Sequence, residues 1–180
     1  AMETVILNNV FSFLRWLPFA RSSDRTKDAL FHLKAPRMAE IYHRVFGTLA
    51  GRYHVTIVAG SIVLPSPAVR DGRLVAGSGP LYNVSAVYGP SGAIFDTLVQ
   101  KVYPVADELP FTTAGQVEAL PVFSTPAGKL GVLICADSFF PAAYERLRQQ
   151  GVELIAVPSY LPTSEVWRKP WRGYSGAPAP

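Results

Sequence analysis

The sequence predicts an α/β fold, mainly because residues 130–158 show a strand–turn–helix–strand pattern. Leu130–Ile134 is a short apolar run of the kind found in strands that are covered on both faces. Pro141 suits the first position of a helix, where its missing N–H is not needed, and Gly151 can end that helix in a left-handed conformation. Val152–Val157 is predicted to form a second buried strand, which completes the unit.

Two helices are expected before the first strand. Residues 2–17 place apolar side chains on one face, as in an amphipathic helix, and Pro18 ends it. Residues 18–28 are polar and charged and are expected to form a loop. The apolar side chains of Leu30–Tyr53 recur with a helical period, which predicts a long helix entered around Pro36.

The middle of the chain is expected to form strands and turns. Val55–Leu64 is continuous and β-branched, so it predicts one long strand. Arg70–Gly79 is rich in glycine and is expected to form a turn or hairpin connection. Tyr82–Tyr88 and Ala93–Val99 are joined by Gly-Pro-Ser-Gly, which predicts a hairpin. Residues 122–132 predict another hairpin, whose second strand leads into the strand–turn–helix–strand unit.

Cys135 is the only cysteine, and it lies where the first strand of that unit ends, just before the helix. Open α/β sheets bind ligands at the carboxyl ends of their strands, and a helix N-terminus favours the thiolate, which is the nucleophilic form. Backbone N–H groups in the same turn, such as that of Ala136, can stabilise an oxyanion. Position alone leaves a second interpretation open, in which the thiol is buried and structural.

Two stretches resemble the nucleophile segment of the nitrilase, or carbon–nitrogen hydrolase, superfamily. They are Gly-Val-Leu-Ile-Cys-Ala-Asp at residues 131–137 and Gly-Val-Glu-Leu-Ile-Ala-Val-Pro-Ser at residues 151–159, with Pro141, Tyr144 and Arg146 between them. The resemblance implies an αββα sandwich and a Glu-Lys-Cys triad. It also implies a lysine at the end of an upstream strand, which Lys101 matches, and a further glutamate shortly after it, which Glu108 matches.

The resemblance implies that the complete enzyme hydrolyses a non-peptide carbon–nitrogen bond, in an amide or a nitrile, through a thioester on Cys135. Lys101 and the N–H near Ala136 would stabilise the charge that develops, and Glu108 would orient Lys101 or the substrate. The segment after the second strand, which includes Tyr160, would approach the substrate. Without the resemblance, Lys101 would be interpreted as a lysine that protects an edge strand and Glu108 as a solvated loop carboxylate.

The first member of the implied triad is a glutamate in a Pro-Glu step after an early strand, and this sequence contains no such step. Glu3 and Glu40 fall on expected helices, and neither follows a buried strand. Residues 1–180 are therefore interpreted as one partial carbon–nitrogen hydrolase domain, a sandwich that is incomplete at both ends. We expect these residues alone to lack the general base and to be inactive. Asp137 is expected to bond its own turn rather than to act as a catalyst.

Composition limits the partners and the compartment. The formal net charge is +4, but the basic residues are scattered along the chain, so no nucleic-acid partner is expected. No apolar stretch is long enough to span a membrane. A single cysteine excludes an internal disulfide and suits a reducing compartment, so the protein is expected to be cytoplasmic. No cofactor or metal is implied. The expected partner is a small-molecule amide or nitrile, and the full-length enzyme is expected to form homo-oligomers.

An aromatic cluster near the end of the chain, Trp167, Trp171 and Tyr174, is expected to form a pocket wall or a subunit contact. Two other function classes stay open. One is acyl transfer on the same scaffold, in which an amine or hydroxyl intercepts the thioester and product depends on an added acceptor. The other is a non-enzymatic α/β interaction module, in which Cys135 is inert and reacts no faster than a free cysteine.

Overall fold

Two helices begin the part of the chain that the computed structural model describes, which comprises residues 10–20 and 22–160. Helix α1 spans Val10–Trp16 and continues into a 3-10 turn over Leu17–Phe19. It forms the second half of the helix expected for residues 2–17, and residues 2–9 lie outside the described part. Helix α2 spans Arg25–Tyr53 and confirms the long helix of the prediction. No helix in the described part combines the length and apolar character that crossing a membrane requires.

Helix α2 begins earlier than the sequence predicted. The Asp24 carboxylate accepts a hydrogen bond from the Lys27 N–H at 3.0 Å and so caps the helix. Asp28 in the first turn adds negative charge where the helix dipole favours it. Pro36, which was expected near the start, lies inside the helix. The proline removes one backbone hydrogen bond without ending the helix, because the cap has already fixed the start upstream.

The expectation of one long strand over Val55–Leu64 is wrong, because this segment forms two short strands. Strand β1 spans Ile57–Val58 and β2 spans Ile62–Pro65. Between them, the Gly60 carbonyl accepts a hydrogen bond from the Tyr42 hydroxyl of α2 at 2.8 Å. The Ala59 N–H donates to the Ala86 carbonyl at 2.9 Å, so the backbone of this break is satisfied partly by a helix side chain and partly by the facing stretch of chain.

The next strands explain this break. The expected turn region contains a hairpin of β3 (Ala68–Arg70) and β4 (Arg73–Val75). Strand β5 spans Leu81–Ser85, and β6 spans Val87–Tyr88. Strand β2 pairs antiparallel with β5, whereas β1 pairs antiparallel with β6. Strands β5 and β6 are separated only by Ala86, and the pairing register shifts by one residue between the two halves of the segment. The segment therefore pairs along one stretch of chain, but with an irregularity that divides the expected long strand in two.

The second strand of the expected hairpin, Ala93–Val99, is largely absent. Only Ile94 keeps a bridge to β6, and the chain becomes a strand again at β7 (Val99–Gln100), which pairs antiparallel with β5. Two pairings compete for residues 93–100, the local hairpin with β6 and the pairing with β5. The C-terminal end of this segment, Val99–Gln100, pairs with β5. As a result, Lys101 directly follows β7, and its N–H donates to the Asn83 carbonyl of β5 at 2.8 Å.

The strand–turn–helix–strand unit is confirmed. Strands β8 (Val122–Thr125) and β9 (Gly128–Val132) form the expected antiparallel hairpin. Helix α3 spans Pro141–Gln149, and β10 (Leu154–Ala156) returns parallel to β9. The sheet order is β10–β9–β8. A parallel return through a helix is the arrangement that the apolar runs predicted.

The second strand of this unit is largely exposed, contrary to the prediction of a buried strand over Val152–Val157. Leu154 is 43% exposed, and Ile155 is 41% exposed. Strand β10 lies at the edge of its sheet among the described residues. Its apolar run therefore meets neighbours on one side only within the described part of the chain.

Two apolar clusters order the layers as helix, sheet, sheet, helix. The first joins α2 to the strands that follow it, through Tyr42, Ala50, Leu64 and Tyr88. The second lies between the layer of strands β1, β2 and β5–β7 and the sheet of β8–β10, together with α3, and it includes Val87, Val99, Phe123, Val132 and Leu147. The two sheets therefore pack against each other, with one helix on each outer face.

Helix α2 and the turn after β6 approach each other at glycines. A Cβ on Gly92 would lie 2.7 Å from the Gly47 carbonyl oxygen and 3.4 Å from the Gly51 Cα. Gly92 also has a φ of +86°, which side chains other than glycine rarely adopt. Both the contact and the backbone conformation therefore require glycine here.

We expect Gly92→Ala to destabilise the chain more than Gly72→Ala. Gly72 has a φ of +69°, but nothing lies within 4 Å of its Cβ position, so its substitution isolates backbone strain of about 1 kcal/mol. Gly92→Ala adds a clash with helix backbone and should cost roughly 1 to 3 kcal/mol more. Urea unfolding followed by circular dichroism measures both free energies, and equal losses would contradict the close approach.

Candidate active site

Cys135 lies in a strained turn that connects β9 to α3. It is the first residue of a 3-10 turn over Cys135–Phe139, and two buried residues, Leu133 and Ile134, separate it from the end of β9. Its φ is +50°, in the left-handed region that a residue with a side chain rarely occupies. Its N–H donates to the Pro158 carbonyl at 3.0 Å, which ties the turn to the segment after β10. Strain of this kind is often retained where a side chain must point in one direction.

Lys101 and Glu108 form a buried ion pair. Lys101 is 3% exposed, and its Nζ lies 2.5 Å from Glu108 Oε2. The same oxygen accepts a hydrogen bond from the Val105 N–H at 2.9 Å. The other carboxylate oxygen, Oε1, accepts one from Asn83 Nδ2 at 2.6 Å. All these partners are hydrogen-bond donors, so the site is built to hold Glu108 as an anion.

The electrostatics of Glu108 agree with this geometry. Burial raises the pKa of the carboxyl, but the hydrogen bonds from Lys101, the Val105 N–H and Asn83, with the charge of Lys101, outweigh it. The net effect lowers the pKa of Glu108 below its ordinary value. Glu108 is therefore a firmly ionised counter-ion to Lys101 at neutral pH.

A cleft of about 480 Å³ brings the expected residues together. Cys135, Lys101, Glu108 and Tyr160 all line it, together with Gly60, Ser61, Asn83, Val105, Ile134, Pro158 and Ser159. Ala136 follows Cys135 in the 3-10 turn, but it is not one of the described residues that line the cleft. A larger depression of about 740 Å³ lies against α3, and neither the cysteine nor the lysine lines it.

Asp137 has a wider role than the turn residue that the sequence predicted. Its Oδ2 accepts from the Ile134 N–H at 3.1 Å, within its own turn as expected. Its Oδ1 accepts from the N–H groups of Val102 and Tyr103, at 3.1 and 2.8 Å. Asp137 therefore connects, through hydrogen bonds, the turn that carries Cys135 to the segment that directly follows Lys101.

Burial dominates the ionisation of Asp137. The residue has no exposed surface, and burial raises the pKa of its carboxyl above the ordinary value. The three backbone N–H groups and the charge of Lys101 oppose this shift. A carboxyl with three backbone donors and no solvent contact is suited to a structural task.

Sequence reasoning did not single out Asn83. It lies on β5, is 7% exposed, and contributes both its side chain to Glu108 and its carbonyl to the Lys101 N–H. Its only signal in the sequence is an amide between Tyr82 and Val84 in a predicted strand, where a buried polar side chain needs a partner. The aromatic cluster of Trp167, Trp171 and Tyr174 lies outside the described residues. Among residues 10–20 and 22–160, no group of His, Cys, Asp and Glu is arranged to hold a metal ion.

Similarity to known proteins extends over most of the chain. A family model described as carbon–nitrogen hydrolase matches residues 35–177. A deaminated glutathione amidase from Yersinia enterocolitica is 31% identical over 147 residues, which cover 79% of this chain and 48% of the amidase. A bifunctional nitrilase/nitrile hydratase from Lupinus angustifolius is 32% identical over 120 residues, which cover 67% of this chain and 30% of that protein. The chain thus spans about half the length, or less, of these curated relatives.

The fold is similar to that of an amidase from Nesterenkonia sp. The two structures superpose with a TM-score of 0.56 and 20% sequence identity, over 72% of this chain and 45% of the amidase. At this identity the likeness concerns the fold. It confirms the expected α/β architecture in an incomplete form.

We expect Asp137→Asn to destabilise the chain by about 1 to 3 kcal/mol. The amide NH₂ would replace Oδ2 and face the Ile134 N–H, so neither of these two donors would have an acceptor. Asp137→Leu should cost more, since it removes the acceptor of all three backbone donors. Asp96→Asn is the matched control, because Asp96 is exposed. Urea unfolding gives each free energy, and an Asp137→Asn loss no larger than that of the control would rule out the bridge.

Proposed function

The chain belongs to the carbon–nitrogen hydrolase family, and we propose that its cleft hydrolyses a small amide or nitrile through a thioester on Cys135. The observation that carries the proposal is the shared cleft, in which a strained cysteine and a buried lysine–glutamate pair face one space. A buried, paired lysine beside a thiol is poorly explained by packing alone, because burying charge is costly. Residues 1–180 are proposed to form one partial domain of this enzyme.

In the proposed reaction with an amide, the thiol loses its proton to a general base and Cys135 Sγ attacks the carbonyl carbon. The carbonyl π electrons move to oxygen and form an oxyanion. When the carbon–nitrogen bond breaks, the base returns the proton to nitrogen and ammonia or an amine leaves. Water then adds to the thioester, the carboxylic acid is released, and the thiol is restored. A nitrile reaches the same thioester after one added water.

Two groups are proposed to stabilise the developing charge. The Lys101 ammonium uses one of its three N–H groups on Glu108 and can direct another into the cleft. The backbone N–H of Ala136 lies at the start of the 3-10 turn, next to the nucleophile. Removing one such donor typically costs on the order of a hundredfold in rate. Tyr160, which is 81% exposed, is proposed to border the path of the substrate into the cleft.

The general base is proposed to be a carboxylate outside these 180 residues. Glu108 is the single carboxylate among the described residues that line the cleft. It already accepts hydrogen bonds from Lys101, Asn83 and Val105, and its lowered pKa makes it a weak proton acceptor. The deficit agrees with the share of the relatives' length that the chain spans.

Small amides are the first substrates to test. The related Yersinia enterocolitica protein is an amidase. In one structure of the Nesterenkonia amidase, acrylamide has added to the active-site cysteine. In another, butyramide is bound to a cysteine-to-alanine mutant of that enzyme. These amides are proposed as probes of the cleft described above.

We expect acrylamide to alkylate Cys135 faster in the folded chain than in the same chain unfolded in urea. Addition forms a bond from Sγ to the terminal alkene carbon, moves negative charge onto the amide oxygen, and ends with a proton on the adjacent carbon. Lys101 stabilises that oxygen, so Lys101→Met should slow the reaction on the order of a hundredfold. Near pH 9 a free cysteine is largely ionised, at a pKa of about 8.5, so no general base is needed.

Lys129→Met is the matched control, because Lys129 is exposed, and it should leave the rate unchanged. The double variant Lys101→Met/Glu108→Gln removes both buried charges and guards against loss of folding. Since the chain has one cysteine, mass spectrometry reports a single site. Equal rates in the folded and unfolded chain would favour the inert interaction module.

We expect the 180-residue chain alone to release no ammonia from butyramide at pH 7, because its cleft lacks a competent base among the described residues. A coupled ammonia assay measures this, with Cys135→Ala as the background. Ammonia release that Cys135→Ala abolishes would show that the chain supplies its own base. Product that forms only with added hydroxylamine would support acyl transfer instead.

A further inference from the structure

Asn83 joins the lysine and the glutamate of the cleft through two different groups. Its main-chain carbonyl accepts a hydrogen bond from the Lys101 N–H at 2.8 Å, which fixes the start of the lysine relative to β5. Its side-chain Nδ2 donates to Glu108 Oε1 at 2.6 Å. Asn83 therefore sets the position of both partners of the ion pair while contributing to the wall of the cleft.

The other end of the Asn83 amide is unsatisfied. Its Oδ1 is buried and has no hydrogen-bond partner among residues 10–20 and 22–160. A buried acceptor without a donor costs free energy, and an apolar side chain of similar size would avoid that cost. The opposite amide orientation would place Oδ1 against Glu108 Oε1, where two acceptors would repel. Asn83 therefore lowers the stability of the fold through its Oδ1, and the favourable contact that it makes is the hydrogen bond from Nδ2 to Glu108.

We propose that Asn83 is a positioning residue, which orients Lys101 toward the cleft by pinning the Glu108 carboxylate from the side opposite the ammonium. The inference rests on the charge-stabilising role proposed above for Lys101. With Asn83 on Oε1, the lysine meets Oε2, which the Val105 N–H also holds. One rotamer of the carboxylate then satisfies all three donors.

Loss of the Asn83 donor would free the carboxylate to turn. Glu108 lies on a loop, and its side chain is 16% exposed, so water could replace the amide at Oε1. Lys101 would then follow a carboxylate that has several orientations, and its remaining N–H groups would no longer aim at one point. Lys101 is the charged group that faces Glu108, and Asp137 acts on Lys101 from the turn of the nucleophile.

The test is Asn83→Leu, with three measurements on the 180-residue chain. Carbon-13 NMR of labelled glutamate carboxyls follows the titration of Glu108, which Glu108→Gln assigns. We expect the Glu108 titration to move upward by about one pH unit, since a donor to the anion is lost. Acrylamide addition to Cys135 should slow about tenfold, as for a misaligned catalytic group. The melting temperature should stay the same or rise, because the unsatisfied Oδ1 is also removed.

Ser85→Ala is the matched control, because Ser85 is a buried polar residue of the same strand whose hydroxyl donates to the Ala59 carbonyl, away from the ion pair. It should lower the melting temperature and leave both the Glu108 titration and the acrylamide rate unchanged. Asn83→Asp keeps the shape of the side chain and removes the donor when ionised. It should raise the Glu108 titration further, and it carries the test if Asn83→Leu does not fold.

A lower melting temperature with an unmoved Glu108 titration would overturn the inference and leave Asn83 a structural residue. A moved titration with an unchanged acrylamide rate would also overturn it, since the lysine would then not depend on the carboxylate. The function proposed above fails by a separate result, an unchanged acrylamide rate in Lys101→Met. In that case a shifted Glu108 titration in Asn83→Leu would still support the pinning of the carboxylate.

Discussion

The buried ammonium of Lys101 is the constraint around which the cleft is organised. A cation removed from water costs several kcal/mol unless anions and hydrogen bonds replace its hydration. Glu108 supplies the anion, and the loop that carries it is folded around its carboxylate and carbonyl, through the Val105 N–H and both donors of Thr112. The loop therefore has its conformation because one lysine must be neutralised.

A second carboxylate connects the segment of that lysine to the turn of Cys135. Asp137 holds the backbone after Lys101 to the turn that carries Cys135, and the rings of Tyr103 and Phe140 stack across the same junction with centroids 3.7 Å apart. Close-packed interiors transmit displacements because they contain few voids. The backbone after Lys101 and the turn that carries Cys135 are therefore held together through the fully buried Asp137 carboxylate.

The ends of α3 and the positions of the cysteine and the lysine could be predicted from the sequence. Pro141 begins α3, Gly151 follows it with a φ of +73°, and the cysteine and lysine both follow strands, because each depends on a few neighbouring residues. Asn83 and Asp137 were missed or underestimated because their partners lie 25 and 35 residues away. The expected hairpin strand of residues 93–99 failed for a related reason, since β5 competed for its end. A turn signal specifies a turn but not the partner that the next strand finds.

Glu108 cannot be both counter-ion and general base, and this separates the tasks of the carboxylates. A carboxylate that neutralises an ammonium is most effective when it stays ionised, and the donors around Glu108 lower its pKa accordingly. A base for a thiol needs the opposite, an appreciable affinity for the proton during the reaction. Strengthening either property in one group weakens the other. The surroundings of Glu108 are those of a counter-ion, so the base of the reaction proposed for Cys135 has to be a different group.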